Sequence, residues 1–197
     1  MNNSSLKIKL IIILSILTVV ITTGVFSADT SKKLNQNTSS VYQESILTNE
    51  EYLPALLKSI DEAKNEIFMS IFSFKIGEHK SSYPDRIAAH LARAAKRGVK
   101  IFVVLENTGK MSDELDIQNR RTGKLLKEKG ITVYFDSQRK TTHTKLVIID
   151  RRLILLGSHN FTQSALKYNN EISILLDSPD MAEYARNYIL KIIKEAK

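Results

Sequence analysis

The residues with the clearest chemical potential lie between positions 143 and 171. His143 and Lys145 stand two residues apart at the start of an apolar run, and the alternation of side chains along a strand places both on one face. An imidazole next to an ammonium group at a sheet edge can bind a phosphate group. The pair therefore predicts a phosphate site, although an ordinary solvated strand end would carry the same two residues.

A loop after the next strand supplies more polar side chains to this edge. Gly157 ends the buried run Leu153 to Leu156, and Ser158 and Asn160 follow it. Because this strand is expected to pair with the one that carries His143, the hydroxyl and the amide would converge on the imidazole and the ammonium group. The four groups together would form a phosphate-binding site.

Two other polar residues of this stretch are expected to have less direct roles. Asp150 lies seven residues after His143, at the far end of the same strand, and therefore on its opposite face. We predict a structural role for this carboxylate. His159 lies between Ser158 and Asn160, and we interpret it as a bystander.

The elements that must position these residues alternate between helix and strand. Apolar periodicity, capping residues and glycine breaks predict helices over residues 49–64, 84–97, 112–129 and 179–197. Apolar runs predict strands over residues 66–74, 99–105, 131–135, 145–149, 153–156 and 171–176. This alternation is typical of an α/β domain with helices on both faces of the sheet, and a turn at residues 150–152 makes the sheet mixed.

The N-terminal segment has the pattern of a targeting sequence. Residues 1–28 contain two early lysines, an apolar run from Leu10 to Ile21, and small residues up to a cleavage point after Ser27 or Ala28. We predict a signal peptide and therefore a secreted or periplasmic protein, with an uncleaved membrane anchor as the alternative. Residues 29–48 are rich in Ser, Thr, Asn and Gln and are interpreted as a flexible lead-in to a single domain over residues 49–197.

Composition narrows the possible chemistry and the possible partners. The 197 residues include 29 Lys and Arg against 21 Asp and Glu, a net charge of +8, and no Cys. Disulfides, thiolate zinc sites and a cysteine nucleophile are thereby excluded. Basic residues near the site favour a polyanion such as a nucleic acid backbone or an anionic membrane, although they could also form an ordinary solvated surface: Arg120, Arg121, Lys124, Lys127, Lys129, Arg139 and Lys140.

The complete constellation matches one known pattern, H-x-K-x4-D followed by G-S-x-N-F. It is carried here by His143, Lys145, Asp150, Gly157, Ser158, Asn160 and Phe161, and Glu171 stands where the pattern has an acidic partner. The pattern resembles the phospholipase D superfamily in its single-motif form, and the resemblance extends from about residue 50 to the C-terminus. It implies an α-β-α sandwich of the phospholipase D and nuclease type.

The resemblance also implies a mechanism that uses no metal and no cofactor. His143 would attack the phosphorus of a diester to form a phosphohistidine, and a second His would protonate the leaving oxygen. Lys145 and Asn160 would balance the charge of the phosphate oxygens, and Ser158 would donate a hydrogen bond to them. Glu171 would accept the other ring proton of His143.

This mechanism needs two His-Lys sets, and the chain has one. His79 is directly followed by Lys80, and His90 lies within a helix near Arg93, so neither reproduces the spacing. The resemblance therefore implies a homodimer in which the two His143 side chains meet at a two-fold axis.

The substrate class is left open by the motif. The chain resembles the short secreted phospholipases D of obligate intracellular bacteria, which implies hydrolysis of phosphatidylcholine to phosphatidic acid and choline and a part in host-membrane damage. It also resembles small periplasmic non-specific endonucleases, which implies cleavage of DNA and RNA. A third possibility is a catalytically inert domain that binds polyanions.

Overall fold

The structure is a computed structural model of the chain that describes residues 44–77, 81–110 and 112–196. The predicted signal peptide, the lead-in up to residue 43, and His79 with Lys80 lie outside the described residues. No helix within these ranges is both long enough and apolar enough to cross a bilayer.

The described residues form one mixed sheet and five α-helices. The strands are β1 (Ser45–Thr48), β2 (Glu66–Ile71), β3 (Lys100–Leu105), β4 (Thr132–Phe135), β5 (Lys145–Ile149), β6 (Leu153–Gly157) and β7 (Ile172–Asp177). After a 3-10 turn at Asn49–Glu51, the helices are α1 (Tyr52–Glu62), α2 (Tyr83–Lys96), α3 (Glu114–Lys127), α4 (Gln163–Lys167) and α5 (Pro179–Glu195).

The sheet order brings strand ends that carry polar residues to one edge. The seven strands follow the order β1-β7-β6-β5-β2-β3-β4; β2, β3 and β4 are parallel, and the other neighbours are antiparallel. Ile71 at the end of β2 pairs with Lys145 at the start of β5, and Gly157 pairs with Ser173. Lys145 and Gly157, with the residues next to them, therefore lie along a single edge.

Helices cover both faces of the sheet, as predicted. On one face, α5 buries Ala182 and Ile189 against Phe68 and Ile148. On the other face, α1 and α2 pack a larger core that includes Met69. Because consecutive strand residues such as Phe68 and Met69 point to opposite faces, a strand covered on both sides must be apolar throughout, and this explains its nearly unbroken apolar run.

The domain begins earlier than the sequence predicted. Ser45–Thr48, placed in the flexible lead-in, form β1 and pair with the outer edge of β7. Leu47 is buried there with 8% of its surface exposed. The contact depends on a strand that lies more than a hundred residues later, so no local pattern could have indicated it.

Several element ends also differ from the prediction. Asn49 does not begin a regular helix: it has a left-handed backbone, with φ of 47°, and Thr48 closes the turn instead by donating its N–H and hydroxyl to Glu51, each at 2.8 Å. The second strand ends at Ile71 rather than residue 74, and α4 was not predicted. The helix predicted from residue 112 begins at Glu114 as α3. Its N-cap is Asp113, whose carboxylate accepts from Leu115 N–H.

Candidate active site

His143 and Lys145 form a contact pair at the start of β5. The Lys145 ammonium group lies 3.1 Å from His143 Nε2 and 3.1 Å from the His143 carbonyl oxygen. An ammonium group can only donate, so Nε2 accepts and the ring proton of a neutral His143 is on Nδ1. The Nε2 lone pair is therefore held beside a positive charge, on a side chain that is exposed to solvent.

Phe72 forms the wall of this pair. Its ring meets the His143 ring edge-on, with centroids 4.5 Å apart, and the Lys145 nitrogen lies 4.9 Å from its centroid. The Phe72 N–H donates to the Thr144 carbonyl at 2.8 Å, which extends the contact between β2 and β5 by one residue. Sequence reasoning missed Phe72, although its place directly after a buried strand that pairs with β5 could have indicated it.

Lys145 is buried to an unusual degree for a lysine. Only 6% of the residue is exposed. Burial lowers the pKa of Lys145, and the charge of Glu171 partly offsets this effect. The cation is therefore held by acceptors within the site instead of by bulk water.

Ser158 and Glu171 form a second cluster at the ends of β6 and β7. The Ser158 hydroxyl donates to Glu171 Oε2, while Ile172 N–H donates to that hydroxyl at 3.0 Å. Glu171 Oε1 accepts from Asn169 Nδ2 at 3.1 Å. The charge of Glu171 links this cluster to Lys145.

The predicted bond from His143 to Glu171 is not formed among the described residues. His143 Nε2 contacts Lys145, and the Glu171 carboxylate is occupied by Ser158 and Asn169. The physical reason is the Ser158 hydroxyl, which the close approach of β6 and β7 at Gly157 brings to the Glu171 carboxylate. Glu171 acts on the pair in this structure through its charge at Lys145.

Asn49 anchors Glu171 from the other end of the chain. Its side-chain oxygen accepts from Glu171 N–H at 2.8 Å, and its own N–H donates to the Glu171 carbonyl at 3.0 Å. The sequence predicted only that residue 49 begins a helix, because contacts over such a separation have no local signal.

His159 supports this anchor from the core. It is fully buried, stacks on Tyr52 with centroids 4.3 Å apart, and donates from Nε2 to the Asn49 carbonyl at 3.0 Å. Its Nδ1 accepts from the Ser173 hydroxyl at 2.7 Å. Burial lowers the pKa of His159, against smaller raising effects of the Asn49 bond and Glu171, so this ring is a neutral structural group.

Asn160 offers an unused polar group. Its Oδ1 is buried and has no hydrogen-bond partner among the described residues. The next residue, Phe161, fixes the loop by exchanging backbone hydrogen bonds of 2.9 Å with Ser73 and Lys75. A side chain with an unsatisfied oxygen on such an anchored loop is suited to contact a ligand.

Gly157 permits the close approach of β6 and β7. A Cβ atom at this position would overlap the Ser173 hydroxyl and the Ile172 carbonyl. Glycine is thus required by contact between strands and not by its own backbone angles. This approach also puts Ser158 within reach of Glu171.

Asp150 lies at the opposite edge of the sheet, away from His143. Its Oδ2 accepts from Lys64 N–H at 2.8 Å, and its Oδ1 accepts from Asn65 and Glu66 N–H at 2.8 and 3.0 Å. These bonds join the β5–β6 turn to the start of β2. They are the contacts expected of a structural carboxylate.

Five of the seven basic residues named from the sequence line two surface clefts. Arg120 and Lys127 on α3 lie 5.6 Å from the Phe135 ring centroid, and Lys124 joins them around a shallow surface cleft. Arg139 and Lys140 line a separate cleft of about 770 Å³ with Lys194. Arg121 donates to the Gly77 carbonyl and so has a structural contact.

Residues 56–193 match the protein family described as "Cardiolipin synthase, PLD-like domain". The chain belongs to the phospholipase D superfamily. The match spans the core of the described domain and includes all eight residues of the predicted pattern.

Relatives with curated names include two kinds of lipid enzyme. "Phospholipase D" of Rickettsia prowazekii is 28% identical over 137 residues, which cover 68% of this chain and 58% of the relative. "Mitochondrial cardiolipin hydrolase" of Homo sapiens is 28% identical over 144 residues, which cover 71% of this chain and 49% of the relative. The chain thus spans between half and three-fifths of the length of these superfamily members.

Solved structures agree with the fold of the superfamily. The phospholipase D family member Nuc from Salmonella typhimurium has a TM-score of 0.65 at 24% identity, covering 79% of this chain and 97% of Nuc. NucT from Helicobacter pylori has a TM-score of 0.62 at 20% identity, covering 78% and 96%. The similarity extends over almost the whole of both neighbours.

Asp150 belongs to the superfamily motif, but its contacts predict a role in stability and not in catalysis. Asp150→Asn replaces an acceptor oxygen with a donor that faces a backbone N–H, and we expect it to lower the free energy of unfolding by about 1–3 kcal/mol. Urea unfolding would measure this loss, and kcat of the folded enzyme on a soluble aryl phosphodiester should stay unchanged. A large loss of kcat with unchanged stability would contradict the structural role.

The second prediction concerns Gly157. Gly157→Ala forces β6 away from β7 and should lower the free energy of unfolding by about 1–3 kcal/mol, and it should also lower kcat because Ser158 moves with the strand end. Gly98→Ala is the control, since a Cβ there meets nothing within 4 Å and only its backbone is strained. Wild-type kcat in Gly157→Ala would show that Ser158 need not be held at this place.

Proposed function

We propose that this protein is a phosphodiesterase that forms a covalent phosphohistidine on His143. The observation that carries the proposal is the contact between His143 Nε2 and the Lys145 ammonium group at 3.1 Å. An unprotonated, solvent-facing Nε2 is a nucleophile, and a fixed cation beside it can bind the phosphate that it attacks.

The reaction proceeds in two displacements. His143 Nε2 forms a bond to phosphorus as the bond from phosphorus to the leaving oxygen breaks, and an imidazolium on the far side gives that oxygen its proton. Water then attacks the phosphohistidine, gives a proton to the second imidazole and restores His143. Lys145 stabilises the phosphate oxygens, and Asn160 and Ser158 contribute from the loop after β6.

The second imidazole would come from another copy of the chain. Of the histidines that the structure describes, His90 is paired with Asp61 at 2.8 Å, and His159 is buried with both ring nitrogens bonded. Neither can approach a phosphorus bound at His143. A homodimer with the two His143 residues near its axis completes the site.

An uncovered apolar face next to the site supports this homodimer. Helix α5 covers β2, β3, β5 and β6 but leaves the β7 and β1 side of the face open, where Ile172 is 57% exposed and Ile46 is 66% exposed. On the same face, the exposed side chains of Leu156, Met181 and Tyr184 line a groove of about 530 Å³. Ile172 directly follows Glu171, so a partner on this face would lie alongside the site.

The substrate proposed is a phospholipid, with phosphatidylcholine hydrolysed to phosphatidic acid and choline. Support comes from the relatives, since both kinds described above are named for action on phospholipids. Export by the predicted leader would bring the enzyme to membrane surfaces outside the cytoplasm. The alternative, an endonuclease, is supported by the basic clefts at Arg120 and Lys127 and at Arg139 and Lys140, which suit a polymeric anion.

The third prediction tests both activity and substrate. Purified protein is incubated with phosphatidylcholine vesicles and with plasmid DNA, in excess chelator, and choline release and nicking are measured. We expect choline release without nicking. Nicking alone would replace the lipid with nucleic acid as substrate, and loss of activity in chelator would contradict a metal-independent mechanism.

A matched variant identifies the nucleophile. His143→Asn should lower the activity by at least about 10⁴-fold, as removal of a nucleophile does in other enzymes, and ³²P-labelled or mass-shifted phosphohistidine should be trapped only with His143 present. His90→Asn is the control and should retain activity. Turnover by His143→Asn at the wild-type rate would remove His143 from the mechanism.

The fourth prediction concerns the homodimer. Leu156→Lys combined with Ile172→Lys places two cations on the apolar face and should convert a dimer to a monomer in analytical ultracentrifugation, with at least a 100-fold loss of kcat. Ile117→Lys on α3 is the control, because Ile117 is similarly exposed, at 51%, and lies away from this face. A fully active monomer would overturn the shared site.

A further inference from the structure

Buried carboxylates lie directly behind the loop that delivers His143. Glu106 follows β3 and is 2% exposed, and Asp136 follows β4 and is 5% exposed. Carboxylates are rarely buried in this way unless they accept several hydrogen bonds. The mechanism described above uses neither group, so their burial calls for a separate explanation.

Both carboxylates contact the residue that precedes His143. Glu106 Oε2 accepts from Thr142 N–H at 2.6 Å, and Asp136 Oδ2 accepts from the Thr142 hydroxyl. Thr142 itself is 6% exposed. The backbone of Thr142 is therefore held from the end of β3, and its side chain is held from the end of β4.

The path of the chain explains why such a clamp is needed. From β4 the chain must cross the ends of β3 and β2 to enter β5, and sheet pairing of β5 begins only at Lys145. Thr144 is fixed by its carbonyl bond to Phe72 N–H at 2.8 Å. The clamp on Thr142 fixes the other side, so that the His143 backbone is held from both directions.

We propose that Glu106 and Asp136 are positioning residues that hold His143 in place for attack on phosphorus. The proposal rests on the proposed function, because it takes His143 as the nucleophile. A displacement of a reacting group on the order of 1 Å can lower a rate by about 100-fold, and the Thr142 contacts restrain that displacement.

The clamp depends on acceptor oxygens and not on full negative charge. Burial raises the pKa of Glu106, and the charges of Asp136 and Asp116 raise it further against the lowering effect of the Thr142 bond. Asp116 is itself buried, with Oδ2 unpaired and the Arg120 guanidinium 4.0 Å away. Ionised Glu106 thus lies among like charges, and an amide in its place would keep the bond to Thr142 and remove the repulsion.

Two variants of one residue provide the test. Glu106→Gln keeps an acceptor for Thr142 N–H, and Glu106→Leu keeps the bulk without an acceptor. On a soluble aryl phosphodiester we expect kcat within about twofold of wild type for Glu106→Gln and at least about tenfold lower for Glu106→Leu, with KM little changed in both. In NMR spectra, the His143 ring resonances should shift and broaden only in Glu106→Leu.

Controls distinguish positioning from general stability. Ile60→Val thins the core far from this edge, and it should lower Tm and leave kcat per folded enzyme unchanged. Wild-type kcat in folded Glu106→Leu would overturn the positioning role, and equal losses in the Gln and Leu variants would show that charge matters instead of the bond. Neither result affects the His143→Asn test, which alone decides whether His143 is the nucleophile.

A pH series on Tm gives an independent check. Because the pKa of Glu106 is raised above its ordinary value of 4.5, the folded protein binds this proton more tightly than the unfolded chain. Stability from this group is therefore present below pH 4.5 and lost as pH rises through the folded pKa. Glu106→Gln escapes that loss, so its Tm should exceed that of wild type at pH 7, and the difference should shrink towards pH 4.5. A lower Tm than wild type at pH 7 would contradict the repulsion.

Discussion

Burial of the Lys145 ammonium group at an open sheet edge is the constraint on which the site depends. A cation with 6% of its residue exposed needs acceptors and a compensating charge close by. The His143 carbonyl and ring supply the acceptors, and Glu171 supplies the charge. Once the ammonium group is fixed in this way, the edge-on contact with Phe72 restricts the His143 ring to an orientation in which Nε2 faces the cation. The orientation of the His143 ring thus follows from the requirements of a buried charge.

Much of the fold could be predicted because its physical cause is local. The central strands are covered on both faces, so their apolar runs identify them, and glycines and capping residues mark the helix ends. β1 could not be predicted in this way, because polar and apolar residues follow no distinctive pattern in Ser45–Thr48. These residues form a strand because they pair with the free edge of β7. Asn49 likewise takes its left-handed backbone from contacts with Glu171, far along the chain.

The part of the site that could be predicted is the part that depends on the spacing of residues along the chain. The two-residue separation of His143 and Lys145, and the glycine break before Ser158, were sufficient to place these groups at one edge. The hydrogen-bond partner of Glu171 could not be predicted from spacing. Whether the carboxylate binds the His143 imidazole or the Ser158 hydroxyl depends on distances that are set only by folding. The proximity of Glu106 and Asp136 could have been predicted from the sequence. Each is an acidic residue directly after an apolar strand, and parallel neighbouring strands end at the same edge of a sheet.

The contrast between a buried Lys145 and an exposed His143 fits the proposed homodimer, in which each protomer would hold half of the reaction site. In the proposed mechanism the shielded cation would bind the phosphate, and the imidazole would have to reach phosphorus with a proton donor opposite to it. Within the residues that the structure describes, the other histidines are engaged in contacts with Asp61 or with the core. An uncovered apolar face is unfavourable for an isolated subunit, because that face gains stability only when it is buried. The same association that buries the face would bring a second imidazole to the phosphorus, so assembly and chemistry would be completed by one contact.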